Sequence, residues 1–440
     1  MTTLVATRLK AAVQAARPVA TGRVRAVVGL VVHVEGLSAA VGELVQLGHD
    51  GLVAEVVSVS RGSVSCMPLG PLRGLRAGDT ALALGHALQV RVGPDLLGRV
   101  VDGLGRPIDG GPALTGRLVD VDADAPGPLE RQRVRQPLSL GVRALDTLVP
   151  AGQGQRLGLF AGSGVGKSTL LSMIAKGTSA PVVVLSLVGE RGREVREFIE
   201  DDLGLEGMSR AVAVVATSDA PPVVRLRSAF VATRIAEWFR DQGQDVLLLM
   251  DSLTRVAMAQ REVGLSAGEP PASRGYPPST FALLPRLLER TGPGAHSSIT
   301  GIYTVLVEGD DHNEPIADAA RSILDGHVTL DRRLATAGHF PSIDVLESVS
   351  RVAPMVTDEN QRVAAQAMRR LLAAHRDAKE LIEVGAYVSG SDPEVDAARA
   401  LWPLITEFLQ QGRDERSTAA DAWAGLVGVL SRLAALDGGR

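Results

Sequence analysis

The chain has 440 residues, long enough for two or three domains, and its 46 Lys plus Arg against 50 Asp plus Glu leave a net charge of −4, which speaks against a protein that coats nucleic acid. Cys66 is the single cysteine, so an internal disulfide is excluded and a reducing compartment is expected. No run of about 18 apolar residues and no secretory leader appear, which predicts a soluble, cytoplasmic protein.

The opening segment "TTLVATRLKAAVQAARPV" sets Leu4, Val5, Leu9 and Val13 at helical spacing among Arg8, Lys10 and Arg17, until Pro18 and Gly22 stop it. Residues 1–22 are therefore expected to be a helix, either a frayed terminus or a docking helix for a partner or a membrane surface. Over 23–92 the texture turns to short β-rich stretches such as "RVRAVVGLVVHVEG" and "LVQLGHDGLVAEVVSVS", separated by Gly, Asp and Ser, and a small barrel or sandwich is expected. "LLGRVVDGLGRPIDGGP", Leu96 to Pro112, reads as a loop-rich bridge into the next domain.

Residues 93–350 form the second large unit. "QRLGLFAG", "PVVVLSLVGE", "AVAVVATSD", "DVLLLMDS" and "SITGIYTVLVEGDD" are near-continuous apolar runs alternating with helical stretches, the pattern of a buried parallel sheet covered on both faces. Beyond Ser350 strand signals end. "VAAQAMRRLLAAHRDAKELI" places Ala364, Ala367, Met368 and Leu371 on one helical face, so 351–440 is expected to be helical. The fold class expected is thus α/β multidomain: an N-terminal barrel, a central α/β domain and a C-terminal helical domain.

The chemistry starts at "LFAGSGVGKSTLL", which fits the A-x-x-x-x-G-K-S form of the phosphate-binding loop, with Ala161 at the position where Gly is more frequent. Gly162, Gly164 and Gly166, with Ser163 and Val165 between them, let backbone N–H groups converge on phosphate oxygens. The helix opening at Lys167 aims its positive end at the same anion. Lys167 is expected on the β- and γ-phosphates, Ser168 on Mg²⁺, and Thr169 just behind. A nucleoside triphosphate with Mg²⁺ is what this loop implies.

Three further positions carry two readings each. Asp251, ending an apolar strand, is either a Mg²⁺-directed acid or a helix cap. Glu190 and Arg191 end another strand. They either polarise the attacking water and offset γ-phosphate charge, or begin a solvated charged helix. Arg351 is either a surface ion-pair residue or an arginine finger reaching a neighbouring subunit. "GEPPASRGYPPS" is a stiff loop that closes over nucleotide, lines a pore or simply covers the surface. The eight histidines are scattered, and "GDDHNEP" reads as turn chemistry in preference to a metal site.

Together "VGPDLLGRVVDGLGRPIDG", the phosphate loop, "LVGERGREVREF", "VLLLMDSLTRVAMAQREVGLSAGEPPASRGYPPS", "VEGDDHNEPIADAARSILDGHVTLDRRLA" and "SVSRV" resemble the hexameric ATPases of type III secretion, relatives of the α and β subunits of F-type ATP synthase. The likeness runs from about residue 20 nearly to the end. It implies a β-barrel, a RecA-like domain and a helical domain, with Glu190 catalytic, Arg191 sensing phosphate, Lys167, Ser168 and Asp251 at the phosphates and metal, and Arg351 the finger. It also implies an aromatic pair at adenine, Phe340 and Tyr387, with Phe340 standing where Tyr is frequent. With Glu190 and Arg351 in one chain, a homohexamer is expected in place of a ring of two subunit types.

By the same resemblance the expected work is ATP hydrolysis for protein export at the cytoplasmic face of the inner membrane. The expected partners are a stator-like regulatory protein, the export gate and chaperone–substrate complexes. "ATSDAPPVVRLRSAF", "EGDDHNEP" and "GAYVSGSDPEVDAA" favour a flagellar over an injectisome (virulence) apparatus. An F-type synthase catalytic subunit and a nucleic-acid ring translocase are the rivals, the latter disfavoured by the net charge.

Overall fold

The computed structural model describes residues 19–307 and 314–437. The expected helix at 1–22 and the "GDD" turn therefore lie largely outside the described residues.

Alternation of apolar and polar residues closes the first domain into a barrel. Six antiparallel strands, Thr21–Val28, Val31–Glu35, Glu43–Leu47, Leu52–Ser60, Ser63–Pro68 and Thr80–Ala87, shut through pairing of the first with the last. Val24, Val32, Val34, Val45, Leu47, Val56 and Cys66 fill it. The barrel begins two residues before the expected boundary at 23. The tail of the expected segment, Gln89–Val92, leaves it to pair with Arg117–Asp120.

The central domain carries a nine-stranded sheet in the order Ile343–Ser350, Gly326–Leu330, Arg156–Ala161, Ser298–Leu306, Val246–Asp251, Val182–Glu190, Ala211–Thr217 and Val100–Asp102, with Gly292–Pro293 joined to the fourth of these. All five apolar runs read from the sequence are strands of it, pairing in parallel. The segment read as a loop-rich bridge supplies the outer strand, 100–102, beside 211–217. The last strand, 343–350, is antiparallel to its neighbour, so it runs back toward the start of the parallel strands.

Helices cover both faces. Pro222–Asp241, Leu253–Ser266 and Pro278–Leu288 pack on one, burying Phe230, Ile235, Val256 and Leu284. Lys167–Gly177 packs on the other, and its apolar layer continues into the helical domain through Met368, Leu371, Leu401 and Ile405. That domain is the helices Glu359–Glu383, Pro393–Leu409 and Ala419–Asp437. The first is started by a capping box between Asp358 and Gln361 and the second by the Asp392 side chain.

Barrel and sheet are joined by charge. Arg227 bonds Glu55 of the barrel at 2.5 and 2.7 Å and also reaches Asp122, with Arg227 and Glu55 both buried. A buried pair like this fixes an orientation, since breaking it strands a charge away from water.

Candidate active site

The site forms at the carboxyl ends of the parallel strands, the edge where open α/β sheets bind ligands. Strand Arg156–Ala161 ends in the glycine loop, and helix Lys167–Gly177 starts directly from it. Gly164 and Gly166 have φ of 76° and 88°, the left-handed region a Cβ disfavours. Three contacts hold the loop from outside: Val307 N–H donates to the Ala161 carbonyl at 3.1 Å, Ser342 Oγ to the Val165 carbonyl at 2.6 Å and Arg332 Nη1 to the Ser163 carbonyl at 3.0 Å. Ser163, Gly164 and Ser168 stay exposed, while Lys167 and Thr169 are half-buried.

Lys167 is the hub. Its Nζ lies 2.5 Å from Asp251 Oδ1 and 3.7 Å from Glu190 Oε1. Asp251 is buried at the end of its strand and also accepts from Thr304 Oγ1 at 2.7 Å, a hydroxyl on the strand lying between Asp251 and the phosphate loop. The helix-cap reading of Asp251 is not what forms: the next helix is capped by Ser252, which accepts from Arg255 N–H. Burial first, and the Asp251 charge second, push the Glu190 carboxyl above the usual range, opposed by Lys167 and Arg255. Arg255 packs along Gly189, where an added Cβ would meet its side chain at 3.2 Å. Nothing in the motifs singles Arg255 out. An apolar strand followed by "DSLTR" gives it only as a helix residue.

Glu190 and Arg191 part company. Glu190 turns in, its side chain 15% exposed beside Lys167, whereas Arg191 turns out, 80% exposed and paired with Glu194 at 3.0 Å. The inward and the solvated placements thus each fall to one of two adjacent residues. Arg193 and Arg196 continue the outer face with Glu197 and Glu200.

Phe340 is 44% exposed and lies over the loop, its ring 3.3 Å from where a Gly166 Cβ would stand. A flat apolar face beside the phosphate cradle suits a base. Tyr387 does not join it. Its hydroxyl donates to the Asp392 carbonyl and the Asp396 carboxylate, with Arg399 over the ring, at the start of helix 393–409. Phe340 is met at the other end of that helix, where Gln411 N–H donates to the Phe340 carbonyl. A helix of 17 residues separates the two aromatics by about 25 Å. The expected aromatic pair is thereby corrected to Phe340 with Gln411 behind it.

Arg351 lies at the opposite edge of the sheet. Strand 343–350 is antiparallel to 326–330, with Ser350 opposite Gly326. Gly326 precedes His327, the partner of Gly158 near the start of the phosphate-loop strand. A strand's length, roughly 20 Å, therefore divides Arg351 from the loop of its own chain. The proline-rich segment packs through buried Tyr276 under Arg261 and exposes Pro271–Arg274.

The donors around Lys167 are hard oxygens, the Asp251 carboxylate and the Ser168 hydroxyl, and this set fits Mg²⁺, which takes one or two protein oxygens with phosphates and waters. Among the described residues no group of three or more His, Cys, Asp or Glu could hold a metal alone.

Comparison with known proteins agrees with this architecture. Residues 24–85 match the β-barrel domain of the ATP synthase alpha/beta family and 141–350 its nucleotide-binding domain. Residues 357–427 match the T3SS EscN ATPase C-terminal domain. The flagellum-specific ATP synthase of Bacillus subtilis is 49% identical over 414 residues, 93% of this chain and 94% of that one. The chain belongs to the ATP synthase α/β family, among its type III secretion and flagellar ATPases. It is an ATPase with a family nucleotide-binding domain. The type 3 secretion system ATPase of Xanthomonas euvesicatoria is 49% identical over 90% of this chain and 91% of its own. The assembled ATPase EscN of enteropathogenic E. coli superposes with a TM-score of 0.89 at 44% identity, covering 93% of this chain and 100% of that one. A second structure holds EscN with its central stalk EscO. No described helix is long and apolar enough to cross a membrane.

Proposed function

We propose that this ATPase hydrolyses Mg-ATP at interfaces between copies of itself, as a homohexamer, to support delivery of substrates through a type III export apparatus, flagellar in kind. The observation that carries the interfacial site is the placement of Arg351 about a strand's length from its own phosphate loop, while Lys167, Glu190 and Asp251 converge there. A cation exposed at that edge serves a neighbouring subunit's γ-phosphate.

In this reading the Gly162–Gly166 backbone, with Ser163 and Val165, cradles the phosphates, and Thr169 supports the first turn behind them. Lys167 exchanges its carboxylate partners for phosphate oxygens. Ser168 and Asp251 hold Mg²⁺, which supplies charge neutralisation when bound. Release of Lys167 frees Glu190 to orient water, a role that the upward shift of its buried carboxyl favours. Arg191, exposed beside it, swings to the phosphate or the interface, Phe340 stacks on adenine, and Arg351 enters from next door. Hydrolysis removes the finger's partner and loosens that contact.

The unit boundaries proposed are 1–20 for partner binding, 21–87 for the barrel, 88–350 for the ATPase core with its leading linker and 351–440 for the helical domain. A stator-like protein at the N-terminus, chaperone–substrate complexes and the export gate are the proposed partners. The EscN–EscO structure supports a stalk-type partner as well. The proposed place is the cytoplasm, peripheral to the inner membrane. Relatives of both flagellar and injectisome kind match at similar identity, so the flagellar assignment rests on the three sequence stretches named above.

The test is ATPase rate per chain against protein concentration. A rate that climbs with concentration in the wild type, and stays low throughout for Arg351→Ala, is expected. A flat profile that ignores Arg351 would overturn the interfacial site.

A further inference from the structure

At the edge of the sheet away from the nucleotide, Gln155 is wholly buried and its side-chain amide is engaged from both sides. Oε1 accepts from Gly152 N–H at 3.0 Å, and Nε2 donates to the Asp325 carbonyl and to Ser350 Oγ, each at 3.2 Å. That Asp325 carbonyl also accepts the backbone N–H of Arg351 at 3.0 Å. Ser350 Oγ in turn donates to the Pro150 carbonyl at 2.7 Å. One amide therefore grips the residue before Arg351 and the acceptor of Arg351's own N–H.

The Asp325 end of this grip is itself tethered. Arg156 N–H and Nε donate to Asp325 Oδ2 at 3.0 and 3.1 Å, and Arg156 Nη1 continues to Glu289 at 2.5 Å. Close packing of the two strands depends on Gly326, where a Cβ would stand 2.5 Å from the Val349 carbonyl. Arg351 is exposed, its backbone anchored while the guanidinium lies at the surface, Nη2 donating to the Arg321 carbonyl at 3.5 Å.

We propose that Gln155 is a positioning residue for Arg351, setting the direction in which the finger leaves one subunit for its neighbour's site. This rests on the finger reading of Arg351 above. Gln155 immediately precedes the strand Arg156–Ala161, whose far end is the phosphate loop roughly 20 Å away, so it touches no part of its own chain's nucleotide site. Its effect reaches catalysis through geometry alone, and a misplacement near 1 Å at a reacting centre is worth about 100-fold in rate. An apolar side chain of the same length would leave two acceptors and one donor to find other partners, freeing Ser350 and Arg351 to shift.

The experiment uses the full chain at a concentration where the wild-type rate per chain is maximal, with Gln155→Met, Ser350→Ala and Arg351→Ala measured alone and mixed one to one with Glu190→Gln. Gln155→Met is expected to lower kcat by about 10- to 100-fold, less than Arg351→Ala, with ATP KM and ring size unchanged. Mixing with Glu190→Gln, whose finger is intact, is expected to restore activity at about one quarter of interfaces in a random ring. Ser350→Ala, which keeps the amide, is expected to show the same pattern in milder form, and it carries the test if Gln155→Met does not fold. Wild-type kcat in both variants would overturn the proposal, as would a loss that follows nucleotide affinity or ring assembly and is not rescued by mixing. If Arg351→Ala is fully active, the finger reading fails, and this proposal goes with it. If Arg351→Ala is inactive while Gln155→Met and Ser350→Ala keep wild-type rates, only the positioning role fails.

Discussion

The two ends of the phosphate-loop strand are built in opposite ways. At the carboxyl end, one half-buried ammonium is shared between two carboxylates, and the backbone passes through left-handed glycines beside an exposed aromatic. At the amino end, Gln155 and Arg156 hold Asp325 and Ser350 by hydrogen bonds and ion pairs that leave little to rearrange. The first is an arrangement that must surrender contacts when phosphates arrive. On the proposed shared site the second has to stay fixed, because an arginine offered to another subunit is useful only if its direction is set. One strand thus separates a rearranging end from a rigid end.

Breaking the rearranging end has the largest expected effect. Lys167→Ala removes both the phosphate contact and the partner of two acids, and a loss of kcat/KM of at least about 1000-fold is expected in steady-state ATPase assays. A fall of less than ten-fold would place the chemistry elsewhere. Breaking the rigid end acts on stability instead. Arg156→Ala takes the guanidinium from Asp325 and Glu289, which are 31% and 45% exposed and keep the residue-156 N–H and Arg131 respectively, and it should cost about 1 kcal/mol in denaturant unfolding, with nucleotide affinity changed by less than about two-fold. If nucleotide affinity falls in step with stability, the separation of the two ends is wrong.

Smaller effects sharpen the contrast. Phe340→Ala should raise the KM for ATP about ten-fold while leaving that for inorganic triphosphate alone, since a lost stacking face is worth roughly 1–3 kcal/mol per base. An equal rise for both would assign Phe340 to loop support. The pH dependence follows from Glu190. Burial and Asp251 raise its pKa, so on acidification it takes up a proton earlier than an ordinary carboxylate, whose value is about 4.3. The acid limb of kcat/KM should therefore lie above that value, and a limb at or below it would mean that Glu190 is not the base.

Much of this was legible in the sequence. Five apolar runs became strands because a sheet covered on both faces has no polar side to interrupt them. The phosphate loop was legible because its chemistry lies within one contiguous segment. What escaped shares a different property: it depends on which distant segments meet. Arg332 and Ser342 brace the loop from a stretch that follows it by well over a hundred residues, and Thr304 reaches Asp251 from a neighbouring strand. No local spacing announces such contacts. Tyr387 failed for the same reason. The resemblance puts an aromatic of the helical domain at the base, yet the helix between it and Phe340 carries it to the wrong end, and the backbone of Gln411 fills the place behind Phe340. Glu190 and Arg191 show the limit at its narrowest, since adjacency in sequence did not say that one turns in and the other out.

The most direct test of the central claim, that each site joins the rearranging end of one chain to the rigid end of another, is complementation. Glu190→Gln and Arg351→Ala are each assayed alone and then after mixing and reassembly. Both are expected to be inactive alone, and the mixture is expected to recover activity at about one quarter of its interfaces. A mixture as inactive as its components, in rings shown to contain both chains, would contradict the shared site.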